Sequence, residues 1–214
     1  MRFRGAIFDQ DGLLFDTEKI YQAAWIEAAA RQGITVGPEF PRKFCGLGEK
    51  LIAKIVEREH PELDIPRYCR DAIEIAWSAQ LAGTPEPKKG LFEILRFCRG
   101  RGIRTAVASS STLKVVEHNL RAAGVREYFD AVTTGDEVVN SKPAPDIFLL
   151  AASKIGVAPG EAVVFEDAAS GIKGAAAAGM GAVFIPAQIA PNDEIRAVAA
   201  VHPDLASAIA VFEG

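Results

Sequence analysis

The 214-residue sequence predicts an α/β fold, a doubly wound parallel sheet with an inserted α-helical domain. Short apolar runs alternate with longer stretches of helical pattern, which is typical of a sheet whose parallel strands are joined by helices. The runs are almost wholly apolar, as expected for strands that helices cover on both faces. The first two runs are separated by far more helical sequence than a crossover needs, and this surplus predicts the insertion.

Five apolar runs are predicted as strands, at 4–8, 104–108, 131–134, 162–165 and 182–185. Helices are predicted after the second, third and fourth of these runs, at 112–123, 145–155 and 170–178. This order of strands and helices is that of repeated βα units.

The interval between the first two strands is helical almost throughout, over 17–32, 49–59, 67–81 and 91–100. One crossover requires only one helix, so the surplus indicates a separate unit. The helix-breaking stretch 83–87 provides a plausible return to the sheet. We therefore predict a helical domain of residues 14–85, inserted into a core domain of residues 1–13 and 86–214.

The composition is that of an ordinary globular protein, with 49% hydrophobic and 24% charged residues and a net charge of −4. No block of basic residues suggests nucleic acid or an anionic membrane as a partner. Cys45, Cys69 and Cys98 lack a metal or disulfide spacing, which favours reduced thiols. No signal peptide or membrane span is indicated, so we expect a cytoplasmic protein. The sequence shows no long exposed apolar stripe that would demand a partner, so we expect a monomer.

Polar and charged residues follow the first four predicted strands. Parallel sheets bind their ligands at this edge, beyond the carboxyl ends of the strands. These residues lie at 9–12, 109–111, 141–143 and 166–167. Four carboxylates in one cleft would repel one another unless a cation is present, and oxygen ligands favour Mg²⁺. A lysine and several hydroxyls suit an anion. Together these groups predict phosphoryl transfer.

The order of these motifs resembles that of the haloacid dehalogenase-like hydrolase superfamily. The motifs are Asp9-x-Asp11-Gly12-x-Leu14-x-Asp16-Thr17, a hydroxyl after the second strand, Lys142-Pro143-x-Pro145-Asp146, and Glu166-Asp167-x-x-x-Gly171. The resemblance covers essentially the whole chain. The helical insertion is similar to the C1 cap of that superfamily, and the nearest group contains β-phosphoglucomutases and small sugar phosphatases.

The resemblance implies a role for each core motif. Asp9 would be the nucleophile that forms an aspartyl-phosphate, and Asp11 the general acid and then the general base. Ser109 would hydrogen-bond the transferring phosphoryl group, and Lys142 would neutralise its charge and orient Asp9.

The same resemblance implies a magnesium site and a substrate loop. The metal ligands would be Asp9, Asp11 through its backbone carbonyl, Asp167, and Glu166 either directly or through water. The substrate-binding residues would be Gly46, Gly48, Glu49 and Lys50 on the cap, together with Ser110.

Each motif also has a plainer interpretation. Asp9 and Asp11 could belong to an Asp-Gly turn, and the serines at 109–111 could cap the following helix. Lys142 could be a surface lysine, and the acidic pair at 166–167 a helix cap. None of these interpretations explains why the motifs occur together.

Three functions therefore remain open. β-Phosphoglucomutases carry a histidine where this chain has Tyr21 and an arginine near Glu49, although Lys50 could substitute after a one-residue shift. These departures favour a Mg²⁺-dependent phosphatase acting on a small phosphorylated metabolite, expected to be a sugar, polyol or sugar-acid monophosphate. A phosphosugar mutase is the alternative, and a non-enzymatic binding module is the remote one.

Overall fold

The computed structural model describes residues 3–44, 47 and 49–213, without the side chains of Glu49 and Lys50. In these residues a six-stranded parallel sheet has the order β3-β2-β1-β4-β5-β6. The strands are β1 (Gly5–Phe8), β2 (Arg104–Ser109), β3 (Ala131–Thr134), β4 (Ala162–Glu166), β5 (Gly181–Phe184) and β6 (Ala200–Val201). The predicted α/β class with a parallel sheet is confirmed.

Helices account for most of the remaining chain. They are α1 (Glu18–Ala30), α2 (Glu39–Arg42), α3 (Glu49–Glu59), α4 (Ile65–Leu81), α5 (Leu91–Arg101), α6 (Leu113–Ala122), α7 (Asp146–Lys154), α8 (Ala169–Ala177) and α9 (Asp193–Val198). Short 3-10 turns lie at Arg126–Tyr128, Gly135–Glu137, Pro159–Glu161 and Ser207–Phe212. No described helix is long and apolar enough to cross a membrane.

Two apolar clusters cover the two faces of the sheet. Phe8 and Phe165 belong to the cluster on one face, where their rings stack at 4.7 Å between centroids. Ile7 and Val164, the neighbouring residues on the same strands, belong to the cluster on the other face. Because successive strand residues point to opposite faces, both faces of β1 and β4 are buried under helices.

A third cluster lies within the inserted helices and contains no residue of the sheet. Trp25 packs against Phe44 and Tyr68, with centroid distances of 5.1 and 5.0 Å. A buried hydrogen bond of 2.7 Å from Asn119 Nδ2 of α6 to Gln80 Oε1 of α4 joins these helices to the sheet-bearing part. The boundaries 14–85 remain a prediction.

The chain enters and leaves the helical insertion through two adjacent segments. Asp16 N donates to Glu86 O at 2.9 Å, and Lys88 N donates to Leu14 O at 2.9 Å. Phe15, fully buried between them, bridges to Pro87. The two crossings therefore form one short paired connection between the insertion and the sheet-bearing part.

Candidate active site

A cleft of about 370 Å³ lies between the carboxyl ends of the strands and the inserted helices. Its floor includes Asp9, Asp11, Lys142, Glu166 and Asp167. Ser110 and Ser111 also line it, so the structure brings residues of all four predicted motifs together. Its opposite wall is formed by residues of the helical insertion that are mainly apolar, namely Tyr21, Trp25, Pro41, Phe44, Leu47, Ile52, Cys69, Ile73 and Trp77.

Lys142 is the centre of a buried ionic cluster. Its Nζ lies 2.6 Å from Asp9 Oδ1 and 2.6 Å from Glu166 Oε1, and it donates to Ala108 O at 3.0 Å. The side chains of Lys142, Asp9 and Glu166 are 8%, 11% and 1% exposed. Burial alone would lower the pKa of Lys142, but the two carboxylates outweigh burial and raise it, so the ammonium stays charged.

The protein environment makes the carboxyl group of Asp9 difficult to ionise. Burial raises the pKa of Asp9 to about 8; Lys142 opposes this rise, whereas Glu166 and Asp11 add to it. Lys142 holds Oδ1, which fixes the orientation of the carboxylate. A nucleophile at this position needs a further positive charge to be ionised near neutral pH.

Asp167 supplies the best evidence for where that charge would be bound. Single oxygens of Asp9, Glu166 and Asp167 lie within 4.8 Å of one another. Burial raises the pKa of Asp167 well above its usual range, and the charges of Glu166 and Asp9 add to the effect. Among the described residues, no basic side chain forms an ion pair with Asp167. These buried oxygen donors with an excess of negative charge fit Mg²⁺.

Both carboxylate oxygens of Glu166 accept hydrogen bonds from the protein. Oε1 accepts from Lys142, and Oε2 accepts from the backbone N–H groups of Asp167 and Ala168, at 3.0 Å each. Gly171 makes room for this carboxylate, because a Cβ at that position would lie 1.9 Å from Glu166 Oε1. This arrangement leaves Asp9 and Asp167 as the carboxylates better placed for direct contact with a metal.

Gly12 brings the first motif against the last. Its φ of 84° is in the left-handed region that glycine tolerates, and a Cβ there would lie 2.1 Å from Asp167 Oδ2. The turn is closed by Gly12 N, which donates to Phe15 O at 3.0 Å. A side chain at position 12 would therefore push the loop of Asp9 and Asp11 away from Asp167.

The three serines after β2 have different surroundings. Ser109 is buried, and its Oγ accepts from Ser111 N at 3.1 Å. Ser110 and Ser111 line the cleft, whereas Ser109 is absent from the described lining residues. The contact predicted between Ser109 and a phosphoryl group stays a prediction.

Asp11 lies apart from the Asp9, Glu166 and Asp167 oxygens and has a hydroxyl partner. Ser111 Oγ donates to Asp11 Oδ2 at 2.8 Å, and Tyr21 OH lies 3.4 Å from Ser111 Oγ. Burial raises the pKa of Asp11, and the hydrogen bond from Ser111 opposes the rise. A carboxyl with a raised pKa suits a group that must both give and take a proton.

Sequence reasoning missed the contact of Ser111 with Asp11 and that of Tyr21 with Ser111. A signal for Tyr21 was present, because it follows Thr17 by four residues and both line the cleft from the start of α1. The predicted substrate loop was Gly46, Gly48, Glu49 and Lys50. Gly46, Gly48 and the side chains of Glu49 and Lys50 lie outside the described residues.

One protein family, the haloacid dehalogenase-like hydrolases, has a sequence pattern that matches residues 3–179. The chain belongs to this family of hydrolases. The resemblance inferred from the four motifs is thereby confirmed. The match extends from β1 through α8 and so includes every element that carries a predicted core residue of the site.

Among curated relatives of this hydrolase are two Escherichia coli phosphatases. Fructose-1-phosphate phosphatase YqaB is 39% identical over 185 residues, covering 86% of this chain and 97% of the relative. Hexitol phosphatase B is 31% identical over 193 residues, covering 88% and 86%. These relatives, together with the family, identify the chain as a phosphatase.

Solved structures support the fold of this hydrolase. CbbY from Rhodobacter sphaeroides, determined in complex with phosphate, is 28% identical and superposes with a TM-score of 0.77 over 95% of both chains. A β-phosphoglucomutase from Clostridium difficile is 23% identical with a TM-score of 0.76, covering 95% of this chain and 92% of that one, and shows the fold alone.

Proposed function

We propose that this protein is a Mg²⁺-dependent phosphatase that hydrolyses a sugar, polyol or sugar-acid monophosphate through an aspartyl-phosphate on Asp9. The observation that carries the proposal is the acidic cluster in which Lys142 holds the buried Asp9 and Glu166, while no cation of the described residues pairs with Asp167. Such an excess of buried negative charge favours a divalent cation, and the cation and Lys142 together favour a phosphoryl group.

Asp9 would attack the phosphorus atom with a carboxylate oxygen. The bond between phosphorus and the leaving oxygen breaks, and Asp11 donates its proton to that oxygen. Lys142 keeps the Asp9 carboxylate oriented and offers positive charge beside the transferring group. The products of this half-reaction are the alcohol and phosphorylated Asp9.

Water completes the reaction in the second half. Asp11, now ionised, accepts a proton from the water, whose oxygen attacks the same phosphorus atom. The bond from phosphorus to Asp9 breaks, which releases phosphate and regenerates the Asp9 carboxylate.

Asp9, Asp167 and the backbone carbonyl of Asp11 would hold the metal ion, with Glu166 supporting the site through its contacts to Lys142 and the backbone. Bound Mg²⁺ would offset the negative charge of the phosphoryl oxygens. The raised pKa of Asp9 and of Asp167 is what such a cation would lower.

The substrate class follows from the charges of the cleft. Among the described lining residues Lys142 is the only cation, and Glu18 is an additional anion. The cleft therefore offers counter-charge for one phosphoryl group and disfavours a second one. The named substrates of the two Escherichia coli relatives, fructose 1-phosphate and hexitol phosphates, are of this class.

The remaining substrate contacts are assigned to the cap loop. We propose that Gly46, Gly48, Glu49 and Lys50, with Ser110, bind the leaving group. Glu49→Ala is expected to alter selectivity among sugar, polyol and sugar-acid monophosphates. Unchanged selectivity would contradict this assignment of the loop.

The cellular setting is also part of the proposal. Cys98 is a free and buried thiol, which suits a reducing compartment. We therefore propose a cytoplasmic monomer whose partner is a small phosphorylated metabolite rather than nucleic acid or a membrane.

The test is phosphate release from a panel of phosphorylated metabolites, with Mg²⁺ or with a chelator, by wild type and Asp9→Asn. Mg²⁺-dependent release that is lost in Asp9→Asn supports the proposal and names the substrate. The panel includes β-glucose 1-phosphate with its bisphosphate activator. Glucose 6-phosphate formed without net phosphate release would instead identify a mutase, and metal-independent release would contradict the metal requirement.

A further inference from the structure

Three residues from separate parts of the chain form a hydrogen-bonded series beside the cleft. Asp11 follows β1, Ser111 follows β2, and Tyr21 lies on α1 in the helical insertion. Ser111 Oγ is 2.8 Å from Asp11 Oδ2 and 3.4 Å from Tyr21 OH. Since Ser111 is 3% exposed, water has little access to its hydroxyl.

The direction of the two hydrogen bonds follows from the number of protons available. The single proton of Ser111 Oγ is donated to Asp11 Oδ2. Ser111 Oγ then has no proton left for Tyr21, so the Tyr21 hydroxyl must donate its own proton to Ser111 Oγ. Desolvation of the partly buried Tyr21 and the nearby charge of Asp11 raise the pKa of this phenol, so it remains a donor.

Ser111 is also held from the other side by its backbone. Ser111 N donates to Ser109 Oγ at 3.1 Å, which fixes the start of the loop after β2. This bond does not fix the rotation of the Ser111 hydroxyl about its Cβ–Oγ bond, which decides where the proton points. A donor on the helical insertion occupies a lone pair of Ser111 Oγ and so favours the rotation that points the Ser111 proton at Asp11.

We propose that Tyr21 is a positioning residue that acts through Ser111 to hold the Asp11 carboxyl in place for proton transfer to the leaving oxygen. The inference rests on the proposed function, in which Asp11 is the general acid and base. It adds a role for the helical insertion: docking of α1 brings the Tyr21 hydroxyl to Ser111. The present O···O distance of 3.4 Å is long for a hydroxyl pair, whose usual separation is about 2.7–2.8 Å, and would shorten on closure over substrate.

The test compares Tyr21→Phe, Ser111→Ala and the double variant with a matched control, Tyr68→Phe. Tyr68 lies in the same helical cluster, and its buried hydroxyl has no hydrogen-bond partner among the described residues. Rates are measured with a sugar phosphate and with p-nitrophenyl phosphate, whose leaving group needs little protonation. Thermal unfolding of each variant checks that it folds.

We expect Tyr21→Phe to lower kcat for the sugar phosphate about tenfold or more, while KM stays within about twofold of the wild-type value. A loss of this size is part of what a well-placed general acid contributes to the rate. The loss with p-nitrophenyl phosphate should be much smaller. The double variant should be no slower than Ser111→Ala alone, since Tyr21 acts through Ser111. Tyr68→Phe should keep the wild-type kcat.

Two outcomes would overturn the inference. Effects of Tyr21→Phe and Ser111→Ala that multiply in the double variant would show that Tyr21 acts independently of Ser111. A rise in KM with unchanged kcat would make Tyr21 a substrate contact. Failure of the underlying function is recognised separately, because Asp9→Asn would then keep the wild-type rate.

Discussion

At the scale of single residues, Asp9 and Asp167 differ in their ion pairing although both line the same cleft. Lys142 forms an ion pair with Asp9 and with Glu166, whereas no described cation pairs with Asp167. Because a buried charge without a partner is costly, each carboxylate should lower the stability of the metal-free protein, and Asp167 should do so without compensation.

Asp167→Asn is therefore expected to stabilise the metal-free protein while removing its response to Mg²⁺. Loss of the uncompensated charge should add about 1 kcal/mol or more, a rise in Tm of about 2–4 °C for a chain of this size. The wild-type Tm should rise with Mg²⁺, because the ion binds only the folded state, and the variant's should not. Thermal unfolding with Mg²⁺ or chelator measures both effects.

The exposed Asp193 on α9 provides the control, since Asp193→Asn removes the same charge at a residue that does not line the cleft. That variant should retain the full Mg²⁺ response. An equal Mg²⁺ response in Asp167→Asn and wild type would remove Asp167 from the metal site.

The raised pKa of Asp9 predicts how stability depends on pH. The folded carboxyl, with a pKa of about 8 instead of 3.8, binds its proton more tightly than the unfolded one. The stabilisation that the folded state gains from binding this proton on Asp9 is thus fully present below about pH 3.8 and is lost as pH rises through about 8. Metal-free wild type should lose stability between pH 6 and 8.5 more steeply than Asp9→Asn, as measured by urea unfolding. Parallel pH profiles for the two proteins would contradict the raised pKa.

At the scale of elements, close approach of α8 to the end of β4 holds the site together. Gly171 of α8 faces Glu166, whose carboxylate takes Lys142 on one oxygen and two backbone N–H groups on the other. Glu166 is 1% exposed and therefore has little room to move. The Gly171 position couples helix packing to the orientation of Lys142 and, through it, of Asp9.

Gly171→Ala should consequently impair catalysis and stability together. The new methyl group would meet Glu166 and displace it from Lys142, and we expect a loss of about 1–3 kcal/mol in unfolding free energy with at least a tenfold fall in kcat. Gly100→Ala is the matched control, also inside a helix but with nothing within 4 Å of the new Cβ. That change should stabilise by up to about 1 kcal/mol without altering kcat. Identical effects of the two substitutions would refute the account.

Sequence patterns predicted the central elements well, because these are governed by local signals. The first four strands are found within one residue of their predicted bounds, and the last is shifted by one residue, to Gly181–Phe184. The prediction missed α2, which has four residues, and β6, which has two and forms only by pairing with β5. It also missed α9, although Asn192 caps that helix by accepting from Ile195 N at 3.0 Å.

The four motifs were recognised from their places after the strands and from their order, but their mutual contacts were not. Ser111 and Asp11 are 100 positions apart, and no local pattern specifies that one hydroxyl bonds the other. The contacts of Glu166 with Lys142 and with two backbone N–H groups likewise depend on how α8 packs against the end of β4. Contacts of this kind follow from tertiary packing and become visible only in the structure.

On the scale of the whole molecule, two structural parts share one cleft. The core supplies Asp9, Lys142 and Asp167, whereas the helical insertion supplies Tyr21 and an apolar wall. The paired crossings at Phe15 and Pro87 are the expected hinge for opening and closing. Closure over a substrate would exclude bulk water while Asp9 is attacking.

The central claim is that Asp9 carries the phosphoryl group during turnover. The most direct measurement is acid quenching of wild type during turnover of its substrate with Mg²⁺, followed by peptide mass analysis. We predict that the peptide containing Asp9 gains the mass of one phosphoryl group and that Asp9→Asn gains none and is inactive. A phosphoryl group on another residue, or turnover by Asp9→Asn at the wild-type rate, would contradict the account.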